Sequence, residues 1–353
     1  MRLGLQLGYW GAGPPTNAAE LVSAAERHGF AAVFAAESWG SDAFTPLAWW
    51  GSATRRVALG TSVAQLSARS PTACAMHALT LDHLSGGRAI LGLGVSGPQV
   101  VEGWYGAPFT RPLARTREYI SIVRQVLARQ EPVRADGPHY PLPYRGPGAE
   151  GLGKSLRSIT HPLRADLPIW LGAEGPRNVA LAAELADGWL AVYFSASLAR
   201  QYNEWLDEGF ARPSARRDRA DFEIAAGCQV VITEDAEEIA AAYTAMKPIL
   251  ALYIGGMGAP EKNFHASLFS RMGFAAEVAD VSRYFLAGKR AEAAAAVPDE
   301  LVREVAFIGS ANYVRERAVE WAAYGVTMLQ IGCRDIAQVA RVAEVLGEVP
   351  TLA

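Results

Sequence analysis

The chain has 353 residues, half of them hydrophobic and 20% charged, with 33 basic against 36 acidic side chains and a formal charge of −3. That composition excludes a disordered chain, and the near-balance of charge leaves no electrostatic footprint for nucleic acid. No apolar run approaches the ~20 residues that a bilayer span needs, and the first residues lack a secretory apolar region, so a cytoplasmic protein without a membrane partner is expected.

Taken in chain order, short apolar runs alternate with helical patterns. This is the signature of parallel strands joined by crossover helices. Eight strands are predicted, at 3–8, 31–37, 57–63, 89–95, 168–173, 188–194, 222–232 and 327–332. They are apolar on both faces, as in a sheet covered by helices. Between the first two, residues 17–29 read as a helix with Ala18, Leu21, Val22 and Ala25 on one face, capped by Thr16 or Asn17 and ended by Gly29. Residues 115–129 and 177–186 read as further amphipathic helices, with Pro176 suited to a first helical turn. Eight strand–helix units argue for one closed (β/α)8 barrel, a TIM barrel, spanning 1–353. Two regions break the rhythm. Residues 131–166, rich in proline and glycine, read as a loop insertion after strand four. Residues 247–303 show helical patterns and no clear strand, and read as a helical insertion between strands seven and eight, with a strong helix over 282–297 stopped by Pro298.

The three cysteines, Cys74, Cys228 and Cys333, are far apart and form no Cys-x-x-Cys pair, so neither a zinc site nor a disulfide framework is expected. The six histidines show no metal pattern. In a barrel, chemistry sits at the C-terminal ends of the strands. There the sequence places Tyr9 and Trp10, then Glu37, Ser38 and Trp39, then Ser62 and Val63, then Val95, Ser96 and Gly97, then Ala173, Gly175 and Pro176. Aromatic and small residues meeting at one mouth suit a flat, largely apolar ligand carrying a phosphate. Gly92, Gly94 and Gly97 match G-x-G-x-x-G, but they follow the fourth strand and no acidic strand end follows about 20 residues on, against a Rossmann site. Tight packing, or a glycine-rich turn cradling a phosphate, are the other readings. Glu37 and Ser38 stand where a catalytic group would sit, although Glu37 is equally suited to accept bonds from backbone amides. Glu102, Tyr105 and His265 are further candidate proton donors.

The stretch 79–106 carries Asp82-His83-Leu84-Ser85-Gly86-Gly87-Arg88 ahead of a glycine-rich fourth strand. With 37–47, 168–188 and 307–309, it resembles the luciferase-like monooxygenase superfamily, in its branch of oxidoreductases that use the deazaflavin coenzyme F420. The resemblance spans the chain and implies a (β/α)8 barrel with insertions. It further implies a cis peptide at Ser62–Val63 against the deazaflavin ring. Val95, Ser96, Gly97, Ala173, Gly175 and Pro176 would lie along the phosphate-bearing tail, and Glu37 near the ring. Ser38 stands where sugar-phosphate dehydrogenases of the family carry a catalytic histidine, and their catalytic glutamate falls near Gly97 or Pro98, which argues against a sugar-phosphate substrate. The resulting expectation is an F420-dependent oxidoreductase exchanging a hydride between the deazaflavin C5 and a small organic substrate. Tyr9, Trp10, Trp39, Trp104 and Tyr105 are the candidates for its substrate wall, and the resemblance implies a homodimer. The alternatives are an FMN-dependent monooxygenase using reduced flavin and oxygen, and a non-catalytic binding barrel.

Overall fold

A computed structural model describes residues 1–8, 10–257 and 263–349. Eight parallel strands close on themselves. They are β1 (Arg2–Gln6), β2 (Ala32–Ala35), β3 (Ala58–Thr61), β5 (Ala89–Gly94), β6 (Ile169–Gly172), β7 (Gly188–Ala191), β8 (Glu223–Ile232) and β10 (Met328–Ile331), and β10 pairs with both β1 and β8 to complete the ring. Seven fall within the segments read from the sequence, and β1 starts one residue before its segment, at Arg2. The short β4 (Ala64–Gln65) follows β3 and pairs with β5, and between β3 and β4 the Ser62–Val63 peptide is cis, as the resemblance implied.

The period-two alternation of a strand sorts these residues into an inner and an outer set. Leu3, Leu5, Leu59, Leu329 and Ile331 face the helices and join the large outer core. Ala32, Phe34, Trp170, Leu190, Ala225 and Met328 fill the barrel interior as a separate cluster. The Phe34 ring occupies space that side chains at Gly4 and Gly60 would need, since a Cβ there would approach it to 2.7 and 2.4 Å. The barrel is therefore packed, not a pore. One inward step toward the strand C-termini, Gly4, Gly60 and Met328 give way to Gln6, Ser62 and Gln330, so the next layer is polar.

The connections differ from expectation in several places. Helix α1 (Ala18–Arg27) has no side-chain cap: the Asn17 amide donates to the Arg334 carbonyl instead, tying the first loop to the last. The expected helix over 282–297 is two helices, α10 (Ala275–Leu286) and α11 (Arg290–Ala295). They are separated at Gly288, whose φ of +75° is left-handed backbone that ends a helix. Helical structure between strands seven and eight starts before 247, at α8 (Ala236–Gly256), which carries a two-bond cap from Asp235. Beyond it comes a strand not expected from the sequence, β9 (Ala306–Gly309), which pairs with the outer half of β8 above the barrel. Helix α8 is also the one helix among the described residues long and apolar enough to cross a bilayer, against the expectation of no such run. It begins with Glu237 and Glu238, holds Lys247 in an ion pair with Asp299, and packs against α10 and α11. Residues 131–166 contain only an isolated bridge between Ala135 and Leu142.

Within the stretch 79–106, the motif at 82–88 lies before β5, at the opposite end of the barrel from the strand C-termini. Gly86, with φ of +68°, closes α3 (Pro71–Ser85), and Arg88 donates to the Thr54 hydroxyl and the Val57 carbonyl. Asp82 is buried, accepts from the Ala89 amide and is paired with Arg164.

Candidate active site

A cavity of about 640 Å³ opens at the C-terminal end of the barrel, its surface mostly apolar. Its floor is the polar layer. The Ser62 hydroxyl donates to Gln330 Oε1 at 2.9 Å, and Gln6 Nε2 reaches the same oxygen at 3.4 Å. Gln330 Nε2 is left with no acceptor although the residue is 6% exposed. A buried amide hydrogen without a partner is costly, and Gln330 borders the cavity. Neither Gln6 nor Gln330 was singled out in the sequence. The available signal was a lone glutamine at an inward position of an otherwise apolar strand.

Ser62 and Val63 border the cavity, together with Val95, Ser96 and Gly97. A Cβ at Gly94 would come within 2.5 Å of Val63, and one at Gly92 within 1.9 Å of the Thr61 carbonyl. These two glycines thus serve tight packing around the strand-three bend. Gly97 instead faces the cavity and precedes α4 (Pro98–Gly103). Ala173 lines the cavity with its neighbour Glu174, whereas Gly175 and Pro176 do not. Those two form the start of α6 (Pro176–Leu185), Gly175 with φ of +77° and Pro176 in the first turn.

Glu37 borders the cavity but is 5% exposed, and its carboxylate is already engaged. Both arms of the Arg69 guanidinium reach it, at 2.5 and 3.0 Å, and the Gln65 amide donates at 2.7 Å. Proton exchange with a substrate would first have to break that fork, so the geometry suits the structural-acceptor reading over the catalytic one. Ser38 lines the cavity, and its carbonyl accepts from the Tyr105 hydroxyl at 3.3 Å. Burial, then the charge of Glu37, raises the Tyr105 phenol above its ordinary range.

Of the aromatic wall, Trp39 borders the cavity. Trp10 is outside its lining and packs on Trp50 at 5.8 Å, Trp104 is 63% exposed, and Tyr105 stands behind Ser38. Tyr9 lies outside the described residues. The aromatics that do line the far wall, Tyr193, Tyr253 and Phe264, come from β7's end, α8 and α9 (Phe264–Phe269). Sequence reasoning missed the last two because they belong to the insertion. His265, on the same helix, lines the cavity, whereas Glu102 does not. Cys228 and Cys333 line it too. Burial pushes the Cys333 thiol up to about 12, so it is protonated and unreactive near neutral pH. No cluster of metal-ligating side chains occurs among the described residues.

The family model for luciferase-like monooxygenases matches residues 4–328. The chain belongs to that family. A Mycobacterium tuberculosis protein, provisionally named a coenzyme F420-dependent oxidoreductase (Rv3520c), is 64% identical over 343 residues, covering 97% of this chain and 98% of that one. The 5,10-methylenetetrahydromethanopterin reductase of Archaeoglobus fulgidus is 30% identical over 282 residues, 79% of this chain and 77% of its own. Among solved structures, the coenzyme F420-dependent tetrahydromethanopterin reductase of Methanopyrus kandleri superposes with a TM-score of 0.80 over 98% of both chains at 21% identity, a likeness of fold.

Proposed function

We propose that this chain is a coenzyme F420-dependent oxidoreductase acting on a small organic substrate in the cytoplasm, as a homodimer folded as one barrel domain. The observation that carries the reading is the cavity floor, where a buried, unpartnered amide donor on Gln330 sits beneath apolar walls. Sequence identity of 64% to a relative named for F420 supports deazaflavin over flavin. The residues present fit such a group. The edge of a deazaflavin ring carries carbonyl oxygens that Gln330 Nε2 would meet, and Val63 and Val95 offer apolar surface to its face. The backbone around Ser96 and Gly97, together with the N-terminal amides of α6, would hold the phosphate-bearing tail.

When bound, the deazaflavin supplies a site at C5 that gives or takes a hydride. The protein's part is orientation and exclusion of water. The hydrogen-bonded trio of Gln6, Ser62 and Gln330 is fixed before any ligand arrives, so little reorganisation is needed. Glu37 holds the strand-two end against β4 through Gln65 and Arg69, and so keeps Ser38 and Trp39 at the rim. Substrate would lie against the wall bearing Trp39, Tyr193 and Tyr253.

Fluorescence titration with oxidised F420 and with FMN tests this reading. Micromolar quenching by F420 is the expected result. Binding of FMN alone would move the assignment to a flavin monooxygenase, and binding of neither by folded protein would favour a non-catalytic barrel.

A further inference from the structure

One pair of ionisable groups on the cavity wall has no role in the foregoing. Glu174 follows β6 and His265 lies on α9, and the two meet with Oε2 and Nδ1 2.8 Å apart, their side chains only 6% and 8% exposed. The contact is close but misaligned for a hydrogen bond, and Glu174 Oε1 has no partner at all. Among the described residues, no lysine or arginine pairs with Glu174, in contrast to Glu37.

The surroundings fix the pair at the cavity wall. His265 is ringed by Tyr253 at 4.8 Å, Phe264 at 4.8 Å and Tyr193 at 6.2 Å between ring centres. The titratable groups facing it are therefore Glu174 from the β6 loop, Tyr193 from the end of β7 and Tyr253 from α8. Tyr202, from the helix Ala199–Phe210, is near enough to feel the charge of Glu174. Buried Asn263 caps α9 by accepting from the Ala266 amide, and its own amide donates to the Tyr253 and Ile254 carbonyls. That clamp sets His265 at a constant distance from α8. A carboxylate buried with a bare oxygen is unfavourable unless a proton or a ligand donor satisfies it. The cavity that both residues line is where such a ligand would come from.

We propose that Glu174 and His265 together hold one proton and deliver it to the heteroatom of a C=O or C=N substrate, which makes a ketone or imine the substrate class. The inference rests on the F420 reading above. In the reduction, a bound reduced deazaflavin would supply two electrons and one hydrogen to the substrate carbon as a hydride, itself becoming oxidised. The π pair moves onto oxygen or nitrogen, which takes the proton from the pair. The pair is left as neutral imidazole and carboxylate, and water reprotonates it. The reverse sequence oxidises an alcohol or amine.

The test uses the native chain, Glu174→Gln and His265→Asn, with three probes: cyclohexanone, 1-pyrroline and 2-cyclohexen-1-one. Both variants should bind oxidised F420 within about threefold of native, since neither residue is assigned to cofactor binding. Single-turnover oxidation of reduced F420 by cyclohexanone or 1-pyrroline should fall about 100-fold in each variant, the usual size of general acid catalysis, and lose its pH dependence. A variant that keeps the native rate and pH profile overturns the proposal. So does native protein that binds F420 yet reduces none of the probes, or only the C=C bond of cyclohexenone. Absence of F420 binding by native protein would sink the cofactor reading instead. The pair is then judged by imidazole 15N spectra, with His265 assigned among the six histidines by its loss in His265→Asn. A proton on Nδ1 in the native chain that is displaced in Glu174→Gln supports the pair, and a bare Nδ1 in the native chain overturns it.

Discussion

Arg69 grips Glu37 with both arms of its guanidinium, at 2.5 and 3.0 Å, beneath the rim of the cavity. Burial works against the charge on Arg69, yet the bond and charge of Glu37 outweigh it and the guanidinium is raised above its ordinary value. Cutting one side of such a pair strands the other charge in the interior. Arg69→Met should therefore cost about 3–5 kcal/mol of stability, and Glu37→Gln on that background should recover part of it. Urea unfolding of the two single variants and the double variant measures the coupling. Additive losses would mean that the pair does not hold the loop.

A second acidic group predicts how the fold responds to acid. Glu184, on α6 and away from the cavity, is buried and accepts from Arg117 at 2.6 Å and Arg212 at 2.7 Å, with the Ser214 hydroxyl alongside. The Arg117 bond acts most strongly and burial opposes it. With Ser214 and Arg212 added, the carboxyl is held down at about 2. An unfolded glutamate titrates near ~4.3, so the native state is favoured fully above that value, and the advantage fades as pH falls from about 5 to about 2. Glu184→Gln should lower stability at pH 7 and flatten the acid limb of a plot of midpoint denaturant concentration against pH. An unchanged slope below pH 5 would contradict this.

The motif at 82–88, part of the stretch that carries the family resemblance, lies away from the cavity. Asp82 accepts from the Ala89 amide and from Arg164 Nε, both at 3.1 Å, while Arg164 also donates to the Ala89 carbonyl at 2.7 Å. These bonds join α3 and the long loop to the start of β5, where a barrel's residues serve stability. Asp82→Ala should cost about 3 kcal/mol by leaving Arg164 unpaired in part-buried surroundings, yet leave F420 affinity within error. Thermal unfolding and the fluorescence titration, run on one preparation, separate the two effects. A large loss of affinity in protein that remains folded would give the motif a role in the site.

The eight strands were legible because each is a short apolar run bounded by turns, and the closed ring follows from their number and parallel order. The insertion was read only coarsely. Its helices take their boundaries from Gly288 and from packing on α8, neither of which leaves a periodic trace. The site was half legible for a related reason. Strand ends can be placed by counting, so Ser62, Val63, Ser96 and Ala173 were found at the mouth. Tyr253 and Phe264 reach it only because the insertion folds back, a long-range contact with no local signature, whereas His265 was a candidate on residue type alone. Trp104 illustrates the opposite error: its loop is close in sequence to the mouth, but its side chain points to solvent.

The floor of the cavity yields the sharpest separation of binding from folding. Gln330 is inward-facing on β10, its Oε1 satisfied by Ser62 and its Nε2 by nothing. Replacing it with leucine removes an unsatisfied donor and adds apolar volume beside Met328, but it also takes the acceptor from Ser62 and Gln6, so the effects oppose and folding stability should stay within about 1 kcal/mol of native. The same change removes the hydrogen bond proposed for the ring-edge carbonyl and leaves the Ser62 hydroxyl without its acceptor. F420 affinity should drop by about tenfold, the worth of one well-placed hydrogen bond in a dry site. Gln330→Glu is the sharper control, because it keeps the acceptor for Ser62 but replaces the donor with a second acceptor, and it should bind more weakly than the leucine variant. Equal F420 affinity across native, Leu and Glu proteins would show that the ring does not rest on this floor.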